Sequence, residues 1–476
     1  MSDAADKHAL LGLLRPHGQE HLLAFWDRLD DGQRRRLAAE IAGVDFDLIA
    51  ALYRGAVDQP DWAELARRAA PPRALRLADR RAGAAAAWGP TPDAARRRGV
   101  EALRAGRVGV LLTAGGQGSR LGFDKPKSLY PIGPASGASL LQIHCEKVLA
   151  AGRRYGRPVR MYVMTSPVTH DDTVAFVNEN RRFGLLEDEL IIFCQGVMPA
   201  VDAATGQVLL AAPDALFLSP DGHGGTVAAL QRSGALEHMQ SHGIEQLFYL
   251  QVDNPLAPIC DAELLGHHLL AESELTSLAV AKTSPDDKLG NFAMIDDRLH
   301  VIEYSDFPSD VAERRAADGS LEVWAGSVAI HVFERSFLER SLALKDSLPF
   351  HVARKKAEHI DRQGRAVTPA EPNALKFERF IFDLLPHARR PIVVEYAEQE
   401  SFAPLKNAPG AVKDTPQYVQ QMMLDQHRRW LEAAGAELGA GVQIEISPLF
   451  ALDADQVAEL VTPGRRFERS EWLRGE

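Results

Sequence analysis

The sequence predicts an α/β protein with a mostly parallel mixed sheet, a helical N-terminal part and a small C-terminal part that contains β-structure. Two observations support this prediction. From residue 108 to about residue 285, short apolar runs typical of strands alternate with longer amphipathic runs typical of helices. A glycine-rich, basic segment at residues 115–127 follows the first apolar run, at the place where such sheets bind ligands.

The order of the predicted elements indicates helices on both faces of the sheet. The strands are predicted at residues 108–112, 159–165, 190–193, 216–218, 247–252, 278–281, 323–333 and 391–396. The helices are predicted at residues 140–151, 171–180 and 415–434, with a further helix that begins at 224–226. Residues 444–449 are predicted to begin a small closing β element.

The N-terminal part, residues 1–105, is rich in Ala, Arg and Leu and reads as short helices separated by Pro and Gly. Thr91 and Pro92 predict a capped helix start, and Gly106 is placed to end that helix. We expect this part to be a helical support without chemistry of its own. A catalytic domain is predicted at 106–400, and the small C-terminal region at 401–476.

Composition limits the molecules that the protein is expected to bind and the compartment in which it is expected to lie. The chain has 476 residues and a formal net charge of −11, which argues against nucleic acid. No uncharged apolar run reaches 18 residues, so no membrane-spanning helix is expected, and the first residues lack the apolar stretch of a secretory signal. Cys145, Cys194 and Cys260 form no Cys-x-x-Cys pair, which favours the cytoplasm.

Residues 115–127 read Gly-Gly-Gln-Gly-Ser-Arg-Leu-Gly-Phe-Asp-Lys-Pro-Lys, which predicts a loop that wraps phosphates. Glycines let backbone N–H groups approach anionic oxygens. Arg120 and Lys127 add the positive charge that a triphosphate requires. Lys125 is either a third phosphate contact or a solvated neighbour.

The glycine spacing excludes two common phosphate loops. A Walker A loop or a dinucleotide fingerprint that begins at Gly116 would require glycine where Leu121 stands. Gly122 comes one place too late for the dinucleotide fingerprint. The spacing therefore excludes a Rossmann oxidoreductase.

Two further polar residues follow predicted strands, so the carboxyl edge of the sheet can bring them to the same ligand. Asp253 follows the strand at 247–252 and is suited either to holding Mg²⁺ or to capping the next loop. Gln195 follows the strand at 190–193 and is either a polar loop residue or an amide that recognises a base.

The glycine-rich loop resembles the signature Gly-Gly-x-Gly-Thr-Arg-Leu-Gly-x-x-x-Pro-Lys of the UDP-sugar pyrophosphorylases, with Ser119 in place of Thr. The resemblance is closest to the eukaryotic-type UDP-N-acetylglucosamine pyrophosphorylases and runs from about residue 106 to 449. Six further motifs follow in order: Cys194-Gln-Gly-Val-Met-Pro-Ala, Pro220-Asp-Gly-His-Gly-Gly, Val252-Asp-Asn, Glu303-Tyr-Ser, Lys376-Phe-Glu-Arg-Phe-Ile-Phe-Asp and Pro404-Leu-Lys-Asn. The resemblance implies a nucleotidyltransferase core of the GT-A-like, Rossmann-like type.

The resemblance also implies roles for single residues. The catalytic, phosphate-binding residues are Arg120, Lys127 and Lys406, and the metal residue, for Mg²⁺, is Asp253. The nucleotide-binding residues are Thr113, Ala114, Gly115, Gly116, Gln195, Gly222 and Lys376. The sugar-binding residues are His223, Gly290, Glu303, Tyr304, Ser327, Phe380 and Phe382, although the two phenylalanines also fit a plain core pattern.

The implied activity is transfer of a uridylyl group from UTP to N-acetylglucosamine 1-phosphate, which yields UDP-N-acetylglucosamine and pyrophosphate. Ser327 stands where these enzymes carry Asn, and His223 replaces Asn in a motif reminiscent of UDP-glucose pyrophosphorylases. Glucose 1-phosphate, galactose 1-phosphate or several sugars are therefore alternative substrates. A catalytically silent UDP-sugar-binding protein is a lower alternative, since the charged residues are all present.

Overall fold

In the computed structural model, residues 7–57, 60–344 and 348–475 are described, and they form two compact units. The small unit draws on Met1–Asp61, Gln195–Thr226 and Asp346–Asp383, and the large unit on Trp62–Cys194, Val227–Lys345 and Leu384–Glu476. The units do not follow the predicted ranges 1–105, 106–400 and 401–476. The reason is that three segments distant in sequence pack together to make the small unit.

The large unit is built on a ten-stranded sheet. Its strands are β1 (Ala74–Leu75), β2 (Val108–Thr113), β3 (Arg160–Thr165), β4 (Leu190–Cys194), β5 (Gln246–Gln251), β6 (Leu275–Ala281), β7 (Gly290–Ile295), β8 (Arg298–Ile302), β9 (Ala325–Glu334) and β10 (Ile392–Tyr396). The order is β1-β10-β6-β9-β5-β2-β3-β4, with β7 beside β9 and β8 beside β7.

Strand direction confirms the predicted mixed, mostly parallel α/β sheet. The strands β5, β2, β3 and β4 are parallel, as are β1, β10 and β6, whereas β9 is antiparallel to both β5 and β6. Because β5 and β6 are both antiparallel to β9, their carboxyl ends share one edge with that of β2. We call this the ligand edge.

The strands are apolar along most of their length because the sheet is covered on both faces. The middle of β2 is buried at Val110, Leu111 and Leu112, and the same holds for β3 and β5. One predicted strand lies elsewhere: residues 216–218 contribute to two short strands of the small unit. A three-residue apolar run does not specify which sheet it joins.

Helices of the large unit agree with the predicted pattern and extend it. They are Trp62–Arg67, Leu77–Arg81, Pro92–Arg104, Leu140–Tyr155, Pro167–Glu179, Thr226–Arg232, Ala235–Ser241, Ala262–Leu270, Ser309–Ala312, Arg335–Ser341, Glu398–Ser401, Pro416–Ala433 and Ala454–Leu460. The predicted cap is confirmed, since Thr91 Oγ1 accepts a hydrogen bond from the Ala94 N–H at 3.3 Å. Gly106 adopts φ +70° just after the end of that helix.

Two helices of the large unit approach each other through glycines. A Cβ at Gly99 of Pro92–Arg104 would lie 1.8 Å from the Ala262 carbonyl oxygen. A Cβ at Gly266 of Ala262–Leu270 would lie 1.6 Å from the Ala95 carbonyl oxygen. Both distances are far inside van der Waals contact, so the crossing requires glycine on each helix.

We therefore expect Gly99→Ala to lower the free energy of unfolding by about 3 kcal/mol, because the helices must separate to admit the methyl group. The measurement is urea unfolding. Gly12→Ala is the matched control, since a Cβ at Gly12 meets no atom within 4 Å and alanine favours the helix. A Gly99→Ala protein as stable as the wild type would contradict this prediction.

The small unit contains the helices Lys7–Leu14, Asp31–Ala42 and Phe46–Tyr53. Its strands form three small sheets: Val197–Pro199 with Leu218–Pro220; His351–Lys355, Ala374–Glu378 and Val201–Asp202; and Ala366–Val367, His359–Ile360, Leu210–Ala212 and Ala215–Leu216. Side chains of the N-terminal helices, such as Leu37 and Ile41, pack with Val201 and Phe377 in one core. The predicted helical N-terminal part is thus completed by β-structure from later in the chain.

The C-terminal part of the large unit has a small core of its own around Leu431, Ile444 and Phe467. The predicted closing β element is present, since Ile444–Ile446 pairs in parallel with Glu471–Leu473. A second pair joins Glu437–Leu438 to Arg466–Phe467. Among the helices of the described residues, none combines the length and the apolar character needed to cross a membrane.

Candidate active site

The glycine-rich loop leaves β2 at the ligand edge and is anchored to the neighbouring strand β3. The Ala114 N–H donates to the Met164 carbonyl at 2.7 Å. The buried Ser166 hydroxyl, just after β3, donates to the Gly115 carbonyl at 2.8 Å. Because the Gly115 carbonyl is held on the protein side, the orientation of the following peptide group is fixed.

The loop then closes on itself through backbone hydrogen bonds. The Lys127 N–H donates to the Gly116 carbonyl, and the Gly118 N–H donates to the Lys125 carbonyl, both at 3.0 Å. A Cβ at Gly118 would lie 2.7 Å from the Phe123 carbonyl oxygen, so the loop itself requires this glycine. A Cβ at Gly116 would meet only the Lys127 side chain, at 3.9 Å, so space beside Gly116 stays open to a ligand.

Three basic side chains of the loop differ in their surroundings. Arg120 and Lys125 are exposed, whereas Lys127 is partly buried. The Lys127 Nζ lies 3.5 Å from Asp253 Oδ2, and both side chains are largely shielded from solvent. The structure therefore brings together the predicted phosphate-binding lysine and the predicted metal carboxylate.

Asp253 is placed by β5, which ends two residues earlier, and it is 7% exposed. The preceding carbonyl, that of Val252, contacts His144 Nε2 at 3.0 Å, and the Asp253 carbonyl accepts from the Leu405 N–H at 2.8 Å. Lys406 follows Leu405, so Asp253 and Lys406 are held together through their backbones. Burial lowers the pKa of His144 to about 3, so His144 is neutral and donates from Nε2.

Among the described residues, Asp253 does not belong to a larger cluster of metal-binding side chains. Within residues 7–57, 60–344 and 348–475, no three His, Cys, Asp or Glu side chains converge as a metal-binding group. Mg²⁺ is commonly held by one or two carboxylates together with water and substrate phosphates. Asp253 at the ligand edge fits that donor set.

The predicted sugar-binding residues of the large unit lie around the start of β7. Gly290 pairs with Ser327 of β9. A methyl group on Gly290 would lie 3.5 Å from Glu303 Oε1 and 3.6 Å from Ser327 Cβ, so the three residues are neighbours. The same methyl group would lie 2.7 Å from Val301 Cγ1, which gives Gly290 a packing reason of its own. Tyr304 is 46% exposed.

In the small unit, the predicted base-recognition residues lie on adjacent segments. Gln195 and Gly196 enter the pair Val197–Pro199 with Leu218–Pro220, and the Asp221 N–H donates to the Gly196 carbonyl at 3.2 Å. Gly222 has φ +81°, and a Cβ there would lie 2.3 Å from the Arg379 carbonyl oxygen. Glycine is thus required at 222 both by its dihedral angle and by a neighbouring backbone.

Four rings of the small unit form a cluster. His223 stacks on Phe380 with ring centroids 5.0 Å apart, and Phe382 lies 5.6 Å from His223. His351, which the sequence interpretation did not include, covers Phe380 at 4.2 Å and donates from Nε2 to Asp383 at 3.0 Å. The two phenylalanines are therefore ordered by their neighbours.

The tautomer of His223 follows from one hydrogen bond. The Ile381 N–H donates to His223 Nδ1 at 3.0 Å, so the ring proton of the neutral form is on Nε2. Burial, with a smaller effect of His351, lowers the pKa of His223 to about 4. His223 is therefore neutral at pH 7.

Lys376 lies on Ala374–Glu378 in the small unit, on the same segment that continues to Phe380 and Phe382. Its Nζ lies 5.2 Å from the centroid of the Phe217 ring. Burial lowers the pKa of Lys376 below its ordinary value. A partly desolvated amine of this kind is well suited to an anionic ligand.

The predicted residues thus form one group in each unit. The large unit carries Thr113, Ala114, Gly115, Gly116, Arg120, Lys127, Asp253, Gly290, Glu303, Tyr304, Ser327 and Lys406, and the small unit carries Gln195, Gly222, His223, Lys376, Phe380 and Phe382. Sequence reasoning missed Ser166 and His351, which contact Gly115 and Phe380 from neighbouring elements. Of these, only Ser166 carried a signal, since it follows a predicted strand of the same sheet.

One protein family matches this chain over most of its length. The profile of a family described as UTP–glucose-1-phosphate uridylyltransferase matches residues 94–469. The chain is similar to the human UDP-N-acetylhexosamine pyrophosphorylase-like protein 1, with 34% identity over 488 aligned residues that cover 96% of this chain and 94% of the human protein.

Two further relatives extend this similarity. The UDP-N-acetylglucosamine pyrophosphorylase of Saccharomyces cerevisiae is 34% identical over 383 residues, which cover 79% of this chain and 80% of the yeast protein. The crystal structure of the uridine diphosphate N-acetylglucosamine pyrophosphorylase from Trypanosoma brucei aligns with a TM-score of 0.80 and 25% identity. That alignment covers 100% of this chain and 98% of the trypanosomal one.

Proposed function

Because the chain belongs to the UTP–glucose-1-phosphate uridylyltransferase family, we propose that it makes UDP-N-acetylglucosamine and pyrophosphate from UTP and N-acetylglucosamine 1-phosphate. The sugar phosphate oxygen attacks the α-phosphorus of UTP and forms a new oxygen–phosphorus bond. The bond between the α-phosphorus and the bridging oxygen to the β-phosphorus breaks, and pyrophosphate leaves with that electron pair. The attacking phosphate is already anionic, so the step requires no general base.

One observation supports this proposal above the others. An anchored, glycine-rich loop brings Lys127 within 3.5 Å of Asp253 at the ligand edge of a parallel sheet. Two anions must meet in the reaction, so the main task of the site is to neutralise and position charge. Arg120, Lys127 and Lys406 supply the positive charge on the large unit, and Lys376 supplies it on the small unit.

The glycine-rich loop wraps the nucleotide with its backbone from Thr113 to Gly116. Gln195 and the backbone of Gly222 recognise the uracil edge. Asp253 would hold Mg²⁺ on phosphate oxygens, where the cation would neutralise negative charge. The Lys127 ammonium pairs with the Asp253 carboxylate at 3.5 Å.

In the large unit, sugar recognition rests on Gly290, Glu303, Tyr304 and Ser327. In the small unit, the candidate sugar-binding residues are those of the ring cluster. The Glu303 carboxylate accepts hydroxyl groups of the sugar, and Phe380 and Phe382 border the acetamido group. Ser327 is shorter than asparagine and lacks its amide donor, and this favours glucose 1-phosphate as a second candidate substrate.

We expect kcat/KM for N-acetylglucosamine 1-phosphate to exceed that for glucose 1-phosphate by about 10–200-fold, the range for one small apolar group, here the acetamido methyl, in a complementary pocket. The measurement is pyrophosphate release from UTP and Mg²⁺ with each sugar phosphate. A reversed preference would assign the glucose activity. Tight UDP-sugar binding without any pyrophosphate release would instead favour a silent binding protein.

The partners in this proposal are small molecules. UTP and a sugar 1-phosphate account for the basic residues on both units without any nucleic acid. A cytoplasmic location is part of the proposal and is supported by the buried Cys145 and Cys260, neither of which forms a disulfide, as expected in a reducing compartment.

A further inference from the structure

A buried lysine lies at the ligand edge beside the sugar-binding residues. Lys282 directly follows β6, whose carboxyl end shares that edge with β2 and β5. It is 8% exposed, and its N–H donates to the Trp324 carbonyl at 2.8 Å, just before β9 begins. Lys282 is not among the residues that contact the reactants in the proposed reaction.

The ammonium group of Lys282 makes one short polar contact. Its Nζ donates to Asn291 Oδ1 at 2.6 Å and lies 5.9 Å from the centroid of the Phe307 ring. Among the described residues, no carboxylate lies within 4.0 Å of this Nζ. Burial lowers the pKa of Lys282 below its ordinary value.

The Asn291 side chain links Lys282 to the backbone at Leu289 and Ile302. Asn291 is 1% exposed and lies second in β7, where it pairs with Ile302 of β8 and with Gly326 of β9. Its Nδ2 donates to the Ile302 carbonyl at 3.3 Å and to the Leu289 carbonyl at 3.4 Å. Leu289 precedes Gly290, and Ile302 precedes Glu303.

A network of this kind is a poor source of stability. Desolvating an ammonium and an amide has a large energetic cost, and apolar residues of similar size would often serve stability equally well. What the network does supply is geometry, because each hydrogen bond has a fixed length and direction. The positions it defines are those of the backbone beside Gly290 and Glu303.

We propose that Lys282 is a positioning residue for the sugar 1-phosphate and that it acts through Asn291, which holds the backbone at Gly290 and Glu303 in the geometry that the sugar requires. This inference rests on the proposed function. It assigns to Lys282 an effect on the sugar substrate and none on UTP, since the glycine-rich loop is anchored separately through Ser166 and Met164.

The test compares Lys282→Met, Asn291→Leu and the double variant, each of which removes the hydrogen bond between Lys282 and Asn291. Methionine matches lysine in volume, and leucine keeps the branched shape of asparagine but is larger. We expect each variant to raise KM for N-acetylglucosamine 1-phosphate by about tenfold or more, with KM for UTP changed by less than about twofold. The double variant should resemble the single variants, because both residues act in one chain of contacts. If one single variant fails to fold, the other removes the same contact and carries the test.

Ile295→Val is the control, since Ile295 is buried in the same strand β7 without a polar contact to the network. It should lower the unfolding temperature and leave both KM values unchanged. The inference is overturned if the variants leave KM for the sugar phosphate unchanged, raise both KM values together, or show additive effects.

Calorimetric binding of UDP-N-acetylglucosamine and of UTP separates failure of this inference from failure of the proposed function. If the wild-type protein releases no pyrophosphate but binds the UDP-sugar, the variants should still weaken UDP-sugar binding and leave UTP binding unchanged. Equal UDP-sugar affinity in the wild type and both variants overturns the inference whether or not the wild type turns over. A wild type that neither turns over nor binds the UDP-sugar overturns both.

Discussion

Replacing Lys127 by alanine is expected to lower kcat by about 10²–10³-fold, the cost of removing one preorganised group that stabilises developing charge. Lys127 is the partly buried cation of the glycine-rich loop, and its Nζ already lies 3.5 Å from Asp253. A charge in this shielded position interacts with phosphate more strongly than an exposed charge does. The measurement is the rate of pyrophosphate release at saturating UTP and sugar phosphate.

Lys125→Ala is the matched control for this variant. Lys125 lies in the same loop, has the same charge and is exposed. Its replacement should change kcat by less than about threefold, because exposed charges are screened by solvent and salt. If Lys125→Ala and Lys127→Ala have equal effects, burial beside Asp253 is not what makes Lys127 important.

Replacing Asp253 by asparagine is expected to lower kcat by about 10²-fold or more and to raise the Mg²⁺ concentration that gives half-maximal rate. Asparagine keeps the shape of the side chain but removes the charge that attracts a divalent cation. It also leaves the Lys127 ammonium without its carboxylate. The measurement is pyrophosphate release across a Mg²⁺ titration, with unfolding followed in parallel to confirm that the fold is intact.

Asp124→Asn is the control for charge alone, since Asp124 is an exposed carboxylate of the glycine-rich loop. It should leave the Mg²⁺ dependence unchanged. Because Lys127 and Asp253 are in contact, the double variant should lose less activity than the product of the two single losses. Near-normal turnover in Asp253→Asn would remove this residue from the metal role.

The fold was predictable where local chemistry and tertiary structure agree. The alternation of apolar runs predicted β2, β3, β4 and β5 because parallel strands covered on both faces must be apolar along their length. The cap at Thr91 was predictable because the hydroxyl group satisfies an N–H three residues away. Both signals involve residues that are close in sequence.

The composition of the small unit could not be predicted from such local signals. The small unit joins three segments from different parts of the chain, and Leu37 packs in the same core as Phe377. Hydrophobic patterning states that a face is buried but not which distant face covers it. Residues 216–218 illustrate the same point, since a short apolar run fits any sheet that has a free edge.

Part of the candidate site could likewise be predicted from the sequence, and part could not. The glycine-rich loop and Asp253 could be placed together because each follows a predicted strand, and the carboxyl ends of parallel strands meet at one edge of the sheet. The ring contact of His351 with Phe380 and the hydrogen bond from Lys282 to Asn291 had no such signal. Their partners are separated by turns and strands whose register the sequence does not specify.

The sequence by itself determined the sheet class, the glycine-rich loop and the charged residues at strand ends, because each depends on residue types at short, regular spacings. Only the tertiary structure decided which residues support them. Ser166 donates to the Gly115 carbonyl, the His351 ring contacts Phe380, and Lys282 donates to Asn291. The physical reason is that hydrogen bonds and ring contacts act over a few ångströms in space, and folding alone brings residues distant in sequence within that range.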